Sequence, residues 1–322
     1  NYAVMLDSHL DGRKSDAEQY YRRAIEVEPR HAFALYNLAV LLEEKALQAD
    51  FEDIKAHDRL RKLTKEQQMQ QCGSRADNPQ SPRGTAFESK MKRREDVCEL
   101  YKRAHSADPK DVTTAADYGR YIVTKMVISR NELKENVQGS TANYKLANEQ
   151  YLKIADAVLQ GALDMDGKCI VALYNHALLY QKHKTDMIIA DNGGVSDGSL
   201  LDNLLKAEKL LKSLLLETRG KHIAAMQQLG RVFVDKFKDS NNKDEYTVIE
   251  LAMECYENVI KMKYEKGNPN PNSSSSPQTA LLEYLKIVSN FANNKQKMRA
   301  IGYIEAFMTQ AKNDHGGLDA VF

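Results

Sequence analysis

The sequence predicts an all-α protein, a solenoid of antiparallel helix hairpins packed one on the next. Three observations lead there. Small residues recur at matching places in successive amphipathic segments. A Pro or Gly stop closes successive hairpins, at Pro29, Pro109, Gly167 and Gly220. The composition, 42% hydrophobic and 28% charged, is that of a folded chain. Small residues matter because Ala or Gly at a crossing lets two helix axes approach to about 8–10 Å, while neighbouring Tyr, Leu and Phe fill the grooves. A chain of 322 residues exceeds what one compact core usually holds. A solenoid escapes that limit, because each hairpin packs only on its neighbours.

In chain order, Asn1 to Leu6 reads as the end of a first A helix, with Tyr2 and Leu6 large and Ala3 small. Helix B follows near Asp16 to Val27, and Pro29 ends it. The second A helix runs from Ala32 to about Lys45, with Leu38 and Leu42 large and Ala39 small. Its B helix is delayed by an insert and comes near Arg93 to Ser106, with Val97, Tyr101 and Ala104 in place and Pro109 as the stop. The first half of the insert, Ala46 to Gln71, has helical spacing at Phe51, Ile54, Leu60 and Leu63, so it extends helix A or adds a helix. The second half, Cys72 to Thr85, is rich in Gly, Pro, Asn and Ser and reads as a loop.

The third A helix is Val112 to about Lys125, followed by an insert over 126–142 and a B helix carrying Ala155, Leu159 and Ala162. Gly167 stands where a Pro stop is expected, and glycine serves by adopting the left-handed conformation. The fourth pair is Ile170 to His183 and Leu200 to Thr218, separated by a loop over 184–199. The fifth is Ile223 to Lys236 and Tyr246 to Tyr264. Gly267 to Pro277 is a flexible connector by composition. A last, weaker hairpin covers Gln278 to Ala292 and Lys295 to Lys312.

The small positions are Ala17, Val97, Ala155, Ala207, Ala252 and Ala300 in the B helices, and Ala3, Ala39, Gly119, Ala177 and Gly230 in the A helices. With the stops, this register resembles the tetratricopeptide (TPR) repeat, whose period is about 34 residues. Trp is absent throughout, and Leu35, Ala115, Leu173 and Met226 stand where the family often has one near the start of helix A. The resemblance implies a right-handed superhelical solenoid of TPR-like hairpins with long inserts in the A–B turns. Its extent would be 1–264, about five repeats, with inserts near 46–90, 126–142 and 184–199. A connector over 265–277 and a C-terminal hairpin over 278–322, serving as a cap, would follow. Because these inserts fall between helix A and helix B, they should decorate one rim.

The family's concave groove is lined by helix A. Its sixth A-helix position often carries an Asn that bonds the backbone of an extended peptide, as in the asparagine ladder of O-linked N-acetylglucosamine transferase. That position here is Asn1, Asn37, Asp117, Asn175 and Gln228, all polar. An amide offers an acceptor and two donors, matching a peptide unit. Asn is also simply common at this place in the family. Neighbouring groove positions are Phe33, Tyr36 and Val40, then Ala116 and Arg120, then Val171, Tyr174 and Leu178, then Gln227 and Arg231. Aromatics there would anchor apolar partner side chains, or would pack on the next repeat or on the chain's own inserts. The resemblance therefore implies a non-catalytic scaffold that binds a peptide or helix of a partner protein. The alternatives are a regulatory TPR portion of a larger enzyme such as a glycosyltransferase, and a TPR-like RNA-processing factor.

The two-carboxylate clamp by which related proteins hold the Hsp70/Hsp90 tail matches only at Asn, so that partner is not expected. A net charge of +1, from 46 basic and 45 acidic residues, provides no bulk attraction to nucleic acid, and none is expected as a partner. The basic runs Arg59 to Lys65 and Lys90 to Arg94 could touch phosphate, but a solvated helix face is the favoured reading. No His lies in a metalloprotease or nucleophile motif, and no phosphate-binding glycine motif occurs. No catalytic residue, metal or cofactor is expected. Asp191-Asn192-Gly193-Gly194 lacks the ligand spacing of a calcium loop. Ser81-Pro82 and Ser276-Pro277 have the form of proline-directed phosphorylation sites. The four cysteines, Cys72, Cys98, Cys169 and Cys255, form no CxxC pair, so a reducing compartment, the cytoplasm, fits best. No apolar run reaches the roughly 18 residues of a membrane span. The chain begins at Asn1 without Met, within what reads as a helix, so a fragment or processed form is expected, with a targeting peptide neither seen nor excluded.

Overall fold

The computed structural model describes residues 3–4, 6, 13–70, 83–128, 132–133, 142–184, 197–239, 246–265 and 277–315. Every regular element among them is helical. They are α1 (Lys14–Val27), α2 (Ala32–Gln70), α3 (Arg83–Ala107), α4 (Val112–Tyr121), α5 (Ala142–Met165), α6 (Ile170–Leu178), α7 (Asp197–Glu217), α8 (Ile223–Asp239), α9 (Tyr246–Glu265), α10 (Pro277–Phe291) and α11 (Asn294–His315). Two of them continue as π-helical turns, α4 through Ile122–Met126 and α6 through Leu179–Lys184. The chain is thus an all-α array of helix hairpins, and it divides into two compact units, Asn1–Asp166 and Gly167–Phe322.

In the first unit, α1 packs on α2, α2 on α3, α3 on α4 and α4 on α5. Ala3, Leu6, Ala17, Tyr21, Ala34, Leu38 and Leu41 form the core at its N-terminal end. The surface of that hairpin is tied by Lys14 to Glu44 and by Lys45 to Glu18, the latter at 2.5 Å. No Gly or Pro occurs between Ala32 and Gln70, so helix A does not stop near Lys45 but runs on through the first half of the insert. Likewise α3 begins at Arg83, well before Arg93. Part of the second insert also has an internal role. Ile128 and Leu133 pack with Phe87 of α3 in a small satellite core. The Asn148 amide then accepts from the Ile128 N–H at 3.0 Å and donates to its carbonyl at 2.9 Å.

In the second unit, α6 packs on α7, α7 on α8, α8 on α9, α9 on α10 and α10 on α11. All the small crossing residues are buried, from Ala17 and Ala39 to Gly230, Ala252 and Ala300. The approach at two of them is close enough to require glycine. A Cβ on Gly119 would stand 2.5 Å from Leu159 Cγ, and one on Gly230 would stand 2.7 Å from the Tyr256 ring.

The stop at Gly167 does not use the left-handed conformation. Among the described residues the glycine with positive φ is Gly220, at 73°, preceded by Arg219 at 52°. There the Gly220 N–H reaches back to the Leu215 carbonyl at 2.7 Å and closes α7. Asn1, Tyr2, Cys72, the Ser81-Pro82 dipeptide, Ser276, the Asp191 to Gly194 segment and most of the 184–199 and 265–277 stretches lie outside the described residues, and Pro277 opens α10.

Candidate binding surfaces

In the first unit the groove positions of α2 and α4 face one another and are chemically joined. The Tyr36 hydroxyl donates to Asp117 at 2.7 Å. Arg120 donates to Asp117 at 3.0 Å and, through two nitrogens, to both oxygens of Glu43 at 2.8 and 2.7 Å. The buried Tyr101 hydroxyl of α3 completes the cluster, donating to Glu43 at 2.9 Å. Its ring meets the Tyr36 ring edge-on, with centroids 6.1 Å apart.

The electrostatics follow from these contacts. Burial alone would raise the Glu43 carboxyl, but the Arg120 guanidinium and the Tyr101 hydroxyl outweigh it and hold the group below the ordinary glutamate value. The bidentate Glu43 contact pushes Arg120 up. Burial, reinforced by Asp117, pushes the Tyr36 phenol up as well. Tyr36, Asp117 and Arg120 are therefore spent on holding α2 to α4. Asn37 donates to its own helix, to the Phe33 carbonyl at 2.7 Å. What this face leaves exposed is apolar, at Phe33 and Val40.

The basic run of α3 is also engaged. Lys90 reaches Glu132 at 3.2 Å, Arg94 reaches the same carboxylate at 3.3 Å, and Arg93 reaches Asp50 at 3.2 Å. Beyond α2's early turns, the side chains of Arg59 to Lys65 lie outside the described residues.

In the second unit Asn175 and Gln228 are buried. Asn175 donates to the Val171 carbonyl at 2.8 Å, repeating the Asn37 pattern one unit later. Gln228 donates to Gln181, which in turn donates to Asp235 at 2.9 Å. Tyr174 is half-buried, its ring 5.4 Å from that of His222. Leu178 is half-buried too. The exposed member of the set is Arg231, which donates to Glu283 of α10 at 2.6 Å and to Gln228 at 3.3 Å. Gln227 donates to the other Glu283 oxygen at 2.8 Å. Burial acts to raise the Glu283 carboxyl, and these two donors bring it below the ordinary value.

Arg231 also lines a cleft of about 280 Å³ among Gln181, α8, α9 and α10. Lys238 and Lys286 join it as cations, Asp235 and Glu283 as anions, and Tyr256, Ile287 and Phe291 as apolar surface. The Lys238 ammonium lies 5.5 Å from the centre of the Phe291 ring, within cation–π range. Sequence reasoning found only Arg231 here. Glu283, Ile287 and Asn290 follow one another at helical spacing on α10, a signal that was present but lay in the hairpin matching the repeat pattern least.

Buried positions elsewhere have packing roles. His176 is buried against Tyr180, with ring centroids 4.9 Å apart. Burial pushes the thiols of Cys98 and Cys255 up to about 12. Among the described residues, no group of three His, Cys, Asp or Glu side chains is placed to hold a metal ion, and no helix is long and apolar enough to cross a membrane.

No protein-family profile matches the chain, and no curated protein matches it. Among solved structures, it aligns with a monomeric mutant of IFIT1 with Gppp-AAAA, at 12% identity and a TM-score of 0.31, over 99% of this chain and 64% of that one. It also aligns with the human IFIT1 dimer with m7Gppp-AAAA, at 13% identity and a TM-score of 0.27, over 99% of this chain and 83% of that one. The chain thus spans just under two thirds of the first of these. The expectation against a nucleic-acid partner is corrected by them, since both are solved with a nucleic-acid ligand. A net charge near zero describes the whole chain, whereas a phosphate backbone meets a local surface.

Proposed function

We propose that the chain is a non-catalytic helical-repeat scaffold whose second unit holds a peptide or helix of a partner protein. The observation that supports this reading best is the open cleft beside α8. There Arg231, Lys238 and Lys286 stand among Asp235 and Glu283, next to the half-buried Phe291. Charges of both signs around an aromatic suit a polypeptide, which supplies carboxylates, cations and apolar anchors at once. The exposed Phe33 and Val40 of the first unit would anchor apolar side chains in the same manner. Buried, high-pKa thiols and the absence of a CxxC pair favour a reducing compartment.

The test is affinity capture from the native source with wild type and with Lys238→Glu/Lys286→Glu, two exposed positions whose reversal leaves the core intact. A protein retained by wild type through nuclease treatment and lost by the variant is the expected result. Recovery of the same proteins by both baits would overturn the cleft as the binding site. Recovery abolished by ribonuclease would replace the protein partner with an RNA.

A further inference from the structure

A second groove, of about 470 Å³, runs along α7 on the other side of α8. Leu205, Glu208, Lys209, Lys212 and Leu216 line it, with Lys236 of α8 alongside. Their spacing on α7 is that of a single helix face about three turns long. It shares no lining residue with the cleft beside Phe291.

Two properties of this stripe do not belong to an ordinary solvated surface. First, its leucines are exposed, Leu205 at 45% and Leu216 at 77%. Leu201, also exposed, continues the stripe toward the start of α7. Second, its charge is unbalanced. One carboxylate, Glu208, accepts from both Lys212 at 2.6 Å and Lys236 at 2.7 Å. Two lysines therefore share one acid, and the exposed Lys209 adds a third cation.

We propose that this groove docks a short helical segment of a partner protein whose apolar side chains are flanked by carboxylates. The leucines at either end would meet apolar side chains repeating at one face of the incoming helix. Carboxylates beside them would meet Lys209, Lys212 and Lys236. A nucleic acid fits less well, because Glu208 sits at the centre of the lysines and would oppose phosphate. The groove also offers aliphatic side chains where base stacking asks for aromatics. The site is independent of the inner cleft, so either can fail alone.

Fluorescence anisotropy with the full chain provides the test. The probe is a synthetic peptide of about four helical turns, with Leu repeating on one face and Glu on its flanks. The controls are a scrambled peptide of the same composition and a single-stranded RNA oligonucleotide. Saturable binding of the peptide is expected, about tenfold weaker for the scrambled control and for Leu205→Glu/Leu216→Glu. Lys209→Glu, at a fully surface position, should weaken it several-fold, and unchanged circular dichroism and Tm would show that both variants fold. No saturable binding, equal binding of the scrambled peptide, or insensitivity to both variants would overturn the proposal. Preferential binding of the oligonucleotide, lost in Lys209→Glu, would overturn it in favour of a phosphate-binding surface.

Discussion

Arg120 holds both oxygens of Glu43 across 77 positions of sequence, joining α4 to α2. The side chains are only 28% and 10% exposed, so the pair is shielded enough to matter. Removing one partner of a shielded pair leaves the other uncompensated. Glu43→Gln should therefore destabilise the first unit by about 2 kcal/mol, read from urea unfolding. Replacing Glu43 and Arg120 together by Met should recover at least half of that loss. A single-variant loss below about 0.5 kcal/mol would place the pair with ordinary surface contacts and sink the argument.

The same carboxylate sets an acid limit. Its folded-state pKa lies below the ordinary glutamate value. A lowered carboxyl contributes stability that is present above the unfolded value, about 4.3, and is lost as pH falls through the folded one. Unfolding free energy should accordingly drop on acidification below about pH 4.3, and Glu43→Gln should flatten that part of the profile. His105 acts in a higher window. Burial lowers its pKa, with Asp111 opposing, so its effect is loss of stability as pH falls below about 6.5. Profiles of wild type and Glu43→Gln that run parallel in acid would contradict the assignment.

The exposed counterpart in the second unit should behave differently. Arg231 and Glu283 lie 2.6 Å apart, but their side chains are 46% and 27% exposed. Solvent screening limits such a pair to about 0–1 kcal/mol. Glu283→Gln should thus move Tm little and should reduce the salt dependence of unfolding. A loss as large as that of Glu43→Gln would show that the cleft is closed to water.

Glycine at the helix crossings is open to a paired comparison. Ala at Gly119 would collide with the branch point of the buried Leu159, and Ala at Gly230 with the buried Tyr256 ring. Each should cost about 1–3 kcal/mol, because the overpacking outweighs a helix-propensity gain of about 1. Gly161, on α5, has nothing within 4 Å of its would-be Cβ. Gly161→Ala should raise stability by about 0.5–1 kcal/mol. Thermal melts of the three variants check the ranking, and a stabilising Gly119→Ala would refute the close approach.

Thiol reactivity should separate the cysteines. Burial pushes Cys98 and Cys255 up to about 12, while Cys169 is half-buried at the start of α6. Since the thiolate is the nucleophile, a disulfide reagent at pH 8 should label Cys169 well before the other two. Peptide mass spectrometry of timed samples reads the order, and early labelling of Cys98 or Cys255 in the folded chain would contradict it.

The helices were legible because their determinants are local. Pro29 and Pro109 end helices wherever they occur, and Ala17, Gly119 and Gly230 mark crossings by size alone. The length of α2 was legible only as one of two readings, since a polar, Gln-rich stretch without Gly or Pro suits either a longer helix or a new one. The site was harder for a physical reason. Tyr36, Asp117 and Arg120 were read as groove positions, but what they bond depends on residues 77 and 81 positions away. Glu43 escaped notice because a glutamate in a charged helix looks solvated until its partner is known. The cleft beside Phe291 depends on α10, whose repeat pattern is weakest.

The π-helical turns after α4 and α6 have a consequence for how the array varies in length. Each turn accommodates one residue more than an α-helical turn. It lies after the crossing residue, Gly119 or Ala177, so the extra residue leaves the crossing undisturbed. Side chains within the widened turn are aimed progressively away from where an unbroken helix would point them. Gln181 lies within the second of these turns, turned inward to Gln228 and Asp235. The widened turns are thus expansion joints. A residue gained or lost there re-aims the end of one helix and leaves the stacking of its neighbours alone.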